Sequence, residues 1–291
     1  MYYNINMRKI LIIAILSVSL LTGCTGKTTQ SKPKYAATIL PLYDALEEIG
    51  KDRIEAVLIV PPGASPHTFT VTPQQIKDLE GTKVVFENDF GLEEWIGTIA
   101  TNVSNAQIIK VGDAFKQAVA NNDGNPHIWL NPEYFVGEAR AITDTLKEQD
   151  PQNAAFYEAN FTGYSTSILT EAYKLKESLS GIKNKNIISF HDAFPYFAEY
   201  FGLNIVGSVE PIPGKEPTPK EIVALENTIK EKNVKAIFNE PQMSQSVINA
   251  LVEDTGVKVL TLDPLGNTDT RNTYIKLMQY NINEIIEGLN G

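Results

Sequence analysis

The chain has 291 residues, of which 43% are hydrophobic and 21% charged, and its formal net charge is −10. That length suits two domains or one large one, with enough apolar residues for a sizeable core. An acidic balance without a block of Lys or Arg excludes nucleic acid and anionic membrane surface as main partners, because nothing is present to neutralise phosphate.

The N-terminus reads as a targeting segment. Arg8 and Lys9 precede an apolar run, Ile10 to Leu21, that is too short for a bilayer span. The run ends in Leu21-Thr22-Gly23-Cys24, which resembles a bacterial lipobox. Residues 1–23 are therefore expected to be a lipoprotein signal peptide and Cys24 the lipidated residue; a buried structural thiol is the alternative. Cys24 is the single cysteine, which excludes an intramolecular disulfide. Cleavage removes Arg8 and Lys9 and takes the side-chain charge from −10 to −12. Residues 24–34, rich in Thr, Ser, Lys and Gln, read as a flexible tether. The mature chain is expected on the outer face of a cytoplasmic membrane, held by lipid.

Residues 35–150 alternate β-branched runs with amphipathic ones. Strands are predicted at Ala36–Leu40, Ile54–Val60, Lys83–Glu87 and Gln107–Val111, and helices at Tyr43–Ile49, Pro73–Leu79, Leu92–Thr101 and Pro132–Gln149. A second long helical pattern, Pro151–Leu179, follows with no strand between, and Asp150 is its expected N-cap. It reads as a linking helix over residues 151–180. Residues 181–291 repeat the alternation: strands at Asn186–Phe190, Asn204–Val209, Lys235–Asn239 and Val257–Leu262, helices at Pro195–Phe201, Pro219–Lys232, Ser244–Thr255 and Thr270–Leu289. The expected fold is α/β: two lobes, each with a mostly parallel sheet flanked by helices, joined by one long rigid helix.

The three histidines of the chain, His67, His127 and His191, all fall in loops or at strand ends beside a proline or an aspartate. Neutral imidazole is the commonest side-chain metal ligand, although a lone histidine is more often an ordinary polar residue. In open parallel sheets ligands bind beyond the carboxyl ends of strands. His67 follows the second predicted strand, His191 the fifth, and Asp263 the last. Two facing lobes would close a site from His67 and His127 on one side and His191 and Asp263 on the other.

Five motifs carry a resemblance: Pro126–Pro132 (Pro-His-Ile-Trp-Leu-Asn-Pro), Phe190–Phe197 (Phe-His-Asp-Ala-Phe-Pro-Tyr-Phe), Glu216–Pro219, Ala236–Gln242 (Ala-Ile-Phe-Asn-Glu-Pro-Gln) and Leu262–Gly266 (Leu-Asp-Pro-Leu-Gly). In this order they resemble the metal-binding lipoproteins of ABC importers, the zinc- and manganese-specific solute-binding proteins. The resemblance implies a metal held between two α/β lobes by His67, His127, His191 and Asp263, and a permease of an ABC transporter as partner. An adhesive role is raised by the resemblance alone. The chain differs from many members in carrying Thr70 where an acidic residue follows the first histidine, and in lacking a long His/Asp-rich loop before Pro126. Manganese-type members often have glutamate at the position of His191.

Three imidazoles and one carboxylate favour zinc, which takes four such ligands tetrahedrally; manganese, which prefers oxygen, or iron is the alternative. Asp192 and Glu240 are candidates to accept the remaining N–H of a ligating histidine, with a helix N-cap as the other reading of Asp192. Trp129 and Phe190 are candidate apolar walls or ordinary core. A zinc hydrolase would need an open coordination position and a general base, and no His-Glu-x-x-His helix exists. An organic-solute pocket would need convergent aromatic or Arg groups that the sequence does not place. The expectation is a monomeric metal-capture protein and not an enzyme.

Overall fold

Among the described residues, eight short strands form two separate four-stranded sheets, and every strand pair in both is parallel. The computed structural model describes residues 32–210, 215–241 and 246–290. The signal peptide, Cys24 and most of the tether lie outside the described residues. Pro33–Gly291 forms one compact unit.

The first sheet contains β1 (Lys34–Ala37), β2 (Glu55–Leu58), β3 (Thr82–Glu87) and β4 (Gln107–Lys110) in the order β2-β1-β3-β4. The second contains β5 (Asn186–Ser189), β6 (Asn204–Ser208), β7 (Ala236–Asn239) and β8 (Lys258–Thr261) in the order β6-β5-β7-β8. The two halves thus share one permutation without an evident sequence repeat. The central strands are nearly continuous apolar runs and are buried, whereas the four edge strands are partly exposed. That is the pattern of a parallel sheet covered on both faces.

The covering helices are α1 (Leu40–Gly50), α2 (Pro73–Asp78), α3 (Ile96–Asn102), α4 (Lys116–Asn121), α5 (Pro132–Gln149), α6 (Ala154–Ser178), α7 (Pro195–Phe201), α8 (Pro219–Glu231), α9 (Ser246–Thr255) and α10 (Tyr274–Leu289). Proline occupies the first turn of α1, α2, α5, α7 and α8, where its missing N–H costs nothing. The long helix α6 has 25 residues, about 37 Å at 1.5 Å per residue. Tyr157, Phe161, Tyr164, Ile168 and Ala172 form its buried stripe, at spacings of three and four that place them on one face. One apolar core runs through both halves: it takes in Tyr35 and Phe86 of the first sheet, α1, α5, α6, α10, and Ile187 and Phe238 of the second. Among the described residues no helix is long and apolar enough to cross a membrane.

Three expectations need correction. Asp150 does not cap α6. A 3-10 turn, Pro151–Asn153, intervenes, and Asp150 Oδ2 accepts from Asn153 Nδ2 and the Tyr157 hydroxyl. The last helix begins at Tyr274, because Thr273 is its N-cap and accepts from the Lys276 amide. The short helix α4 was not expected at all.

Candidate metal centre

The parallel sheets place the chemistry at their carboxyl ends. In each sheet consecutive crossovers leave the first strand in opposite directions, so the ends of β1/β3 and of β5/β7 are topological switch points where ligands settle. His191 lies two residues beyond β5 and Glu240 one beyond β7. His67 sits in the loop after β2, held by Trp95, whose Nε1 donates to Pro66 O at 2.8 Å. His127 precedes a 3-10 turn, Ile128–Leu130, that leads into α5 through Asn131, whose side chain accepts from the Glu133 amide. Asn88, just past β3, donates to Pro126 O at 2.8 Å and anchors that loop.

The three imidazoles converge. His127 Nε2 lies 3.1 Å from His67 Nε2 and 3.2 Å from His191 Nε2. The ligand atoms of all three lie within 4.8 Å of one another. Two of the rings have their tautomers set from behind. His191 Nδ1 faces Glu240 Oε1 at 2.5 Å, and a carboxylate can only accept, so Nδ1 carries a proton and Nε2 is the atom turned toward the other rings. His127 Nδ1 likewise donates to Asn125 Oδ1 at 2.9 Å, an oxygen that also accepts from the His127 amide. The three imidazoles therefore turn ring nitrogens toward one another in a buried place, an arrangement that suits one shared cation.

Electrostatics point the same way. Burial, then the neighbouring His191, lowers the pKa of His67 to about 4. His127 is pushed well below the usual imidazole range by burial and then by the other two rings. Both are neutral at physiological pH and need shed no proton to bind a metal. The cavity they line, with Trp129, Pro264 and Leu265 as apolar wall, has a volume of about 10 Å³. That is the scale of one water or ion and far below the ~300 Å³ of organic-ligand pockets.

Not every expected residue joins the cluster. Asp263, 0% exposed, is not among the side chains that converge; its Oδ2 accepts from Arg271 Nε at 2.7 Å and its Oδ1 from the amides of Leu265 and Gly266. Glu240 Oε1 accepts from His191 Nδ1, on the side of the ring away from the cluster. Asp192 does not: it is exposed, it is not the cap of α7, which is Phe194, and its backbone oxygen accepts from Asn125 Nδ2 at 2.5 Å. Phe190 belongs to the core beside β5 and β7, not to the cavity wall. Sequence reasoning missed Asn125, whose place two residues before His127, in an Asn-Pro turn, was the available signal.

Comparison with known proteins follows the same lines. A family model described as "ZnuA: Zinc-uptake complex component A periplasmic" matches residues 36–288. The manganese-binding lipoprotein MntA of Halalkalibacterium halodurans is 27% identical over 96% of this chain and 96% of its own length. The manganese ABC transporter substrate-binding lipoprotein PsaA of Streptococcus pneumoniae is 26% identical, covering 98% of this chain and 100% of its own. Among solved structures, a zinc-bound ZnuA with residues 138–173 deleted superposes with a TM-score of 0.79 at 26% identity, over 89% of this chain and 98% of that one.

Proposed function

This chain belongs to the ZnuA family of metal-binding, ABC transporter substrate-binding lipoproteins, and from that premise we propose that it captures zinc in particular and hands it to an ABC permease. It is a solute-binding protein and not an enzyme. Relatives carry both zinc and manganese in their names, so family membership alone does not choose the metal. The observation that carries zinc is the donor set: three of the proposed donors are imidazole nitrogens, and they converge. Zinc is content with nitrogen at about 2.0–2.1 Å, which puts neighbouring donors of a tetrahedron about 3.3 Å apart, close to the 3.1 and 3.2 Å here. Manganese sits low in the affinity order for such ligands and prefers oxygen.

His67, His127 and His191 are the proposed ligands. Asp263 is the proposed fourth wherever Arg271 releases it. The full chain should bind about one zinc per molecule, and His127→Ala or His191→Ala should lower affinity by about a hundredfold or more in a competitive chelator titration. Unchanged affinity in both variants would remove the assignment. The protein acts as a monomer tethered through Cys24 on the outer face of the membrane; Cys24→Ala should move it from the membrane to the soluble fraction, and continued sedimentation with membranes would argue for a different anchor.

A further inference from the structure

Asn125 is half-buried, each of its polar atoms has a partner, and those partners come from both halves of the molecule. Asp123 and Gly124, with left-handed φ of 53° and 80°, turn the chain out of α4 and bring the Asn125 amide to Asn122 O. The Asn125 carbonyl accepts from the Tyr196 hydroxyl of α7 at 2.8 Å, and Tyr196 is fully buried. Asn125 Oδ1 accepts from the His127 amide at 3.1 Å and from His127 Nδ1 at 2.9 Å. Asn125 Nδ2 donates to Asp192 O at 2.5 Å. Two of these partners fix which way the side-chain amide points, because the His127 amide can only donate and the Asp192 carbonyl can only accept. One planar group therefore touches the ring of His127 and the peptide that follows His191.

We propose that Asn125 is a positioning residue for metal capture: its Oδ1 sets the His127 ring, and its Nδ2 ties that ring to the His191 loop of the other half. The proposal rests on reading the histidine triad as the metal site. His127 follows the first sheet and His191 the second, so their separation depends on how the halves are held, not on either loop alone. Tight binding needs donors kept within about 0.5 Å of their working places. Glu240 orients His191 from within the second half and does not set its distance from His127. The bond from Asn125 to Asp192 O does, because the same rigid amide holds His127 on its other edge. The task suits asparagine in particular. A carboxylate here would still accept from His127 but has no proton to give Asp192 O. It would also lie beside the Asp192 carboxylate, whose Oδ2 is 3.5 Å from Asn125 Nδ2.

The test uses the full chain and zinc. With three histidines, nitrogen NMR spectra of the imidazoles are simple to assign. Asn125→Ala should free the His127 tautomer, giving a mixture of Nδ1–H and Nε2–H forms while His191 is unchanged. It should also lower zinc affinity about 10–100-fold in a chelator competition. Asn125→Asp should restore the Nδ1–H form, yet zinc release should be about tenfold faster than in the unaltered chain, because the tie to Asp192 O is missing. The added negative charge alone would retain the cation, so faster release cannot be its doing. If Asn125 only closes a turn, both variants lower the melting temperature while tautomer and affinity stay as they were, and the proposal is overturned. Full recovery of slow release in Asn125→Asp also overturns it, since the amide N–H would then be idle. Should Asn125→Ala fail to fold by circular dichroism, Asn125→Asp decides by the same two readings. An unaltered chain that binds no zinc is a separate result: it removes the metal reading and takes this proposal with it.

Discussion

At the scale of single residues, the site works because each imidazole is fixed by a separate device. His67 is held through the backbone of Pro66, His127 by Asn125, and His191 by Glu240. The three histidines were legible in the sequence because all of them stood at loop positions, and Glu240 because it ends a strand. The fate of Asp263 was not legible, since nothing in the spacing shows that a guanidinium eight residues later would claim it. Glu240 is 1% exposed, and its Oε2 has no hydrogen-bond partner among the described residues. Its Oε1 accepts from the imidazole it holds, and a bound cation would lie beyond that ring. Glu240→Gln removes the carboxylate and lets the amide donate as well as accept, so the ring's tautomer is no longer dictated. Zinc affinity should fall by about 10–100-fold with stoichiometry kept at one. Equal affinity in a chelator competition would show that Glu240 only packs.

At the scale of elements, the type and order of nearly all of them were readable and their ends were not. Period-two and helical patterns located all eight strands and nine of the ten described helices, because prolines opened several helices and the parallel strands are apolar runs. Capping chemistry decided the rest. Thr72 with Gln75, and Thr218 with Glu221, form capping boxes that start α2 and α8 within one residue of the predicted places. Thr273 starts α10 four residues late, because the preceding loop closes on itself around Asn267. The six residues of α4 are too few to show a period. Pattern also conceals Glu138. It occupies a core position of α5 between Phe135 and Ile142, 0% exposed, with neither carboxylate oxygen hydrogen-bonded among the described residues. Burial, and then Glu93, hold its carboxyl well above the usual range, so it behaves as a neutral group in the core.

At the scale of the whole molecule, the halves share one core, and a polar spine crosses it. Asp44 of α1 accepts from the Tyr164 hydroxyl of α6 at 2.6 Å and from the Tyr274 amide at the start of α10 at 2.9 Å. Tyr274 in turn donates its hydroxyl to Trp129 O, and Trp129 Nε1 donates to Pro264 O, so the spine reaches both walls of the metal cavity. Asp44 is 6% exposed, and burial raises its pKa from 3.8 to about 6 despite those two hydrogen bonds. A raised carboxyl pKa means that the folded chain holds the proton more tightly than the unfolded one. Stability from this group is therefore greatest below about pH 4, declines as pH rises through about 6, and is level above it. The full amplitude is at most ~3 kcal/mol, and the positive end of the α10 dipole, which favours the ionised form, trims it. Asp44→Asn keeps an acceptor for both donors and abolishes the titration. Urea unfolding at pH 4.5 and 7.5 should accordingly show a smaller loss of stability with rising pH in the variant than in the unaltered chain, by about 1–2 kcal/mol. The same loss in both would mean that Asp44 is already ionised throughout that interval and that the spine is held by a charge, not by a shared proton.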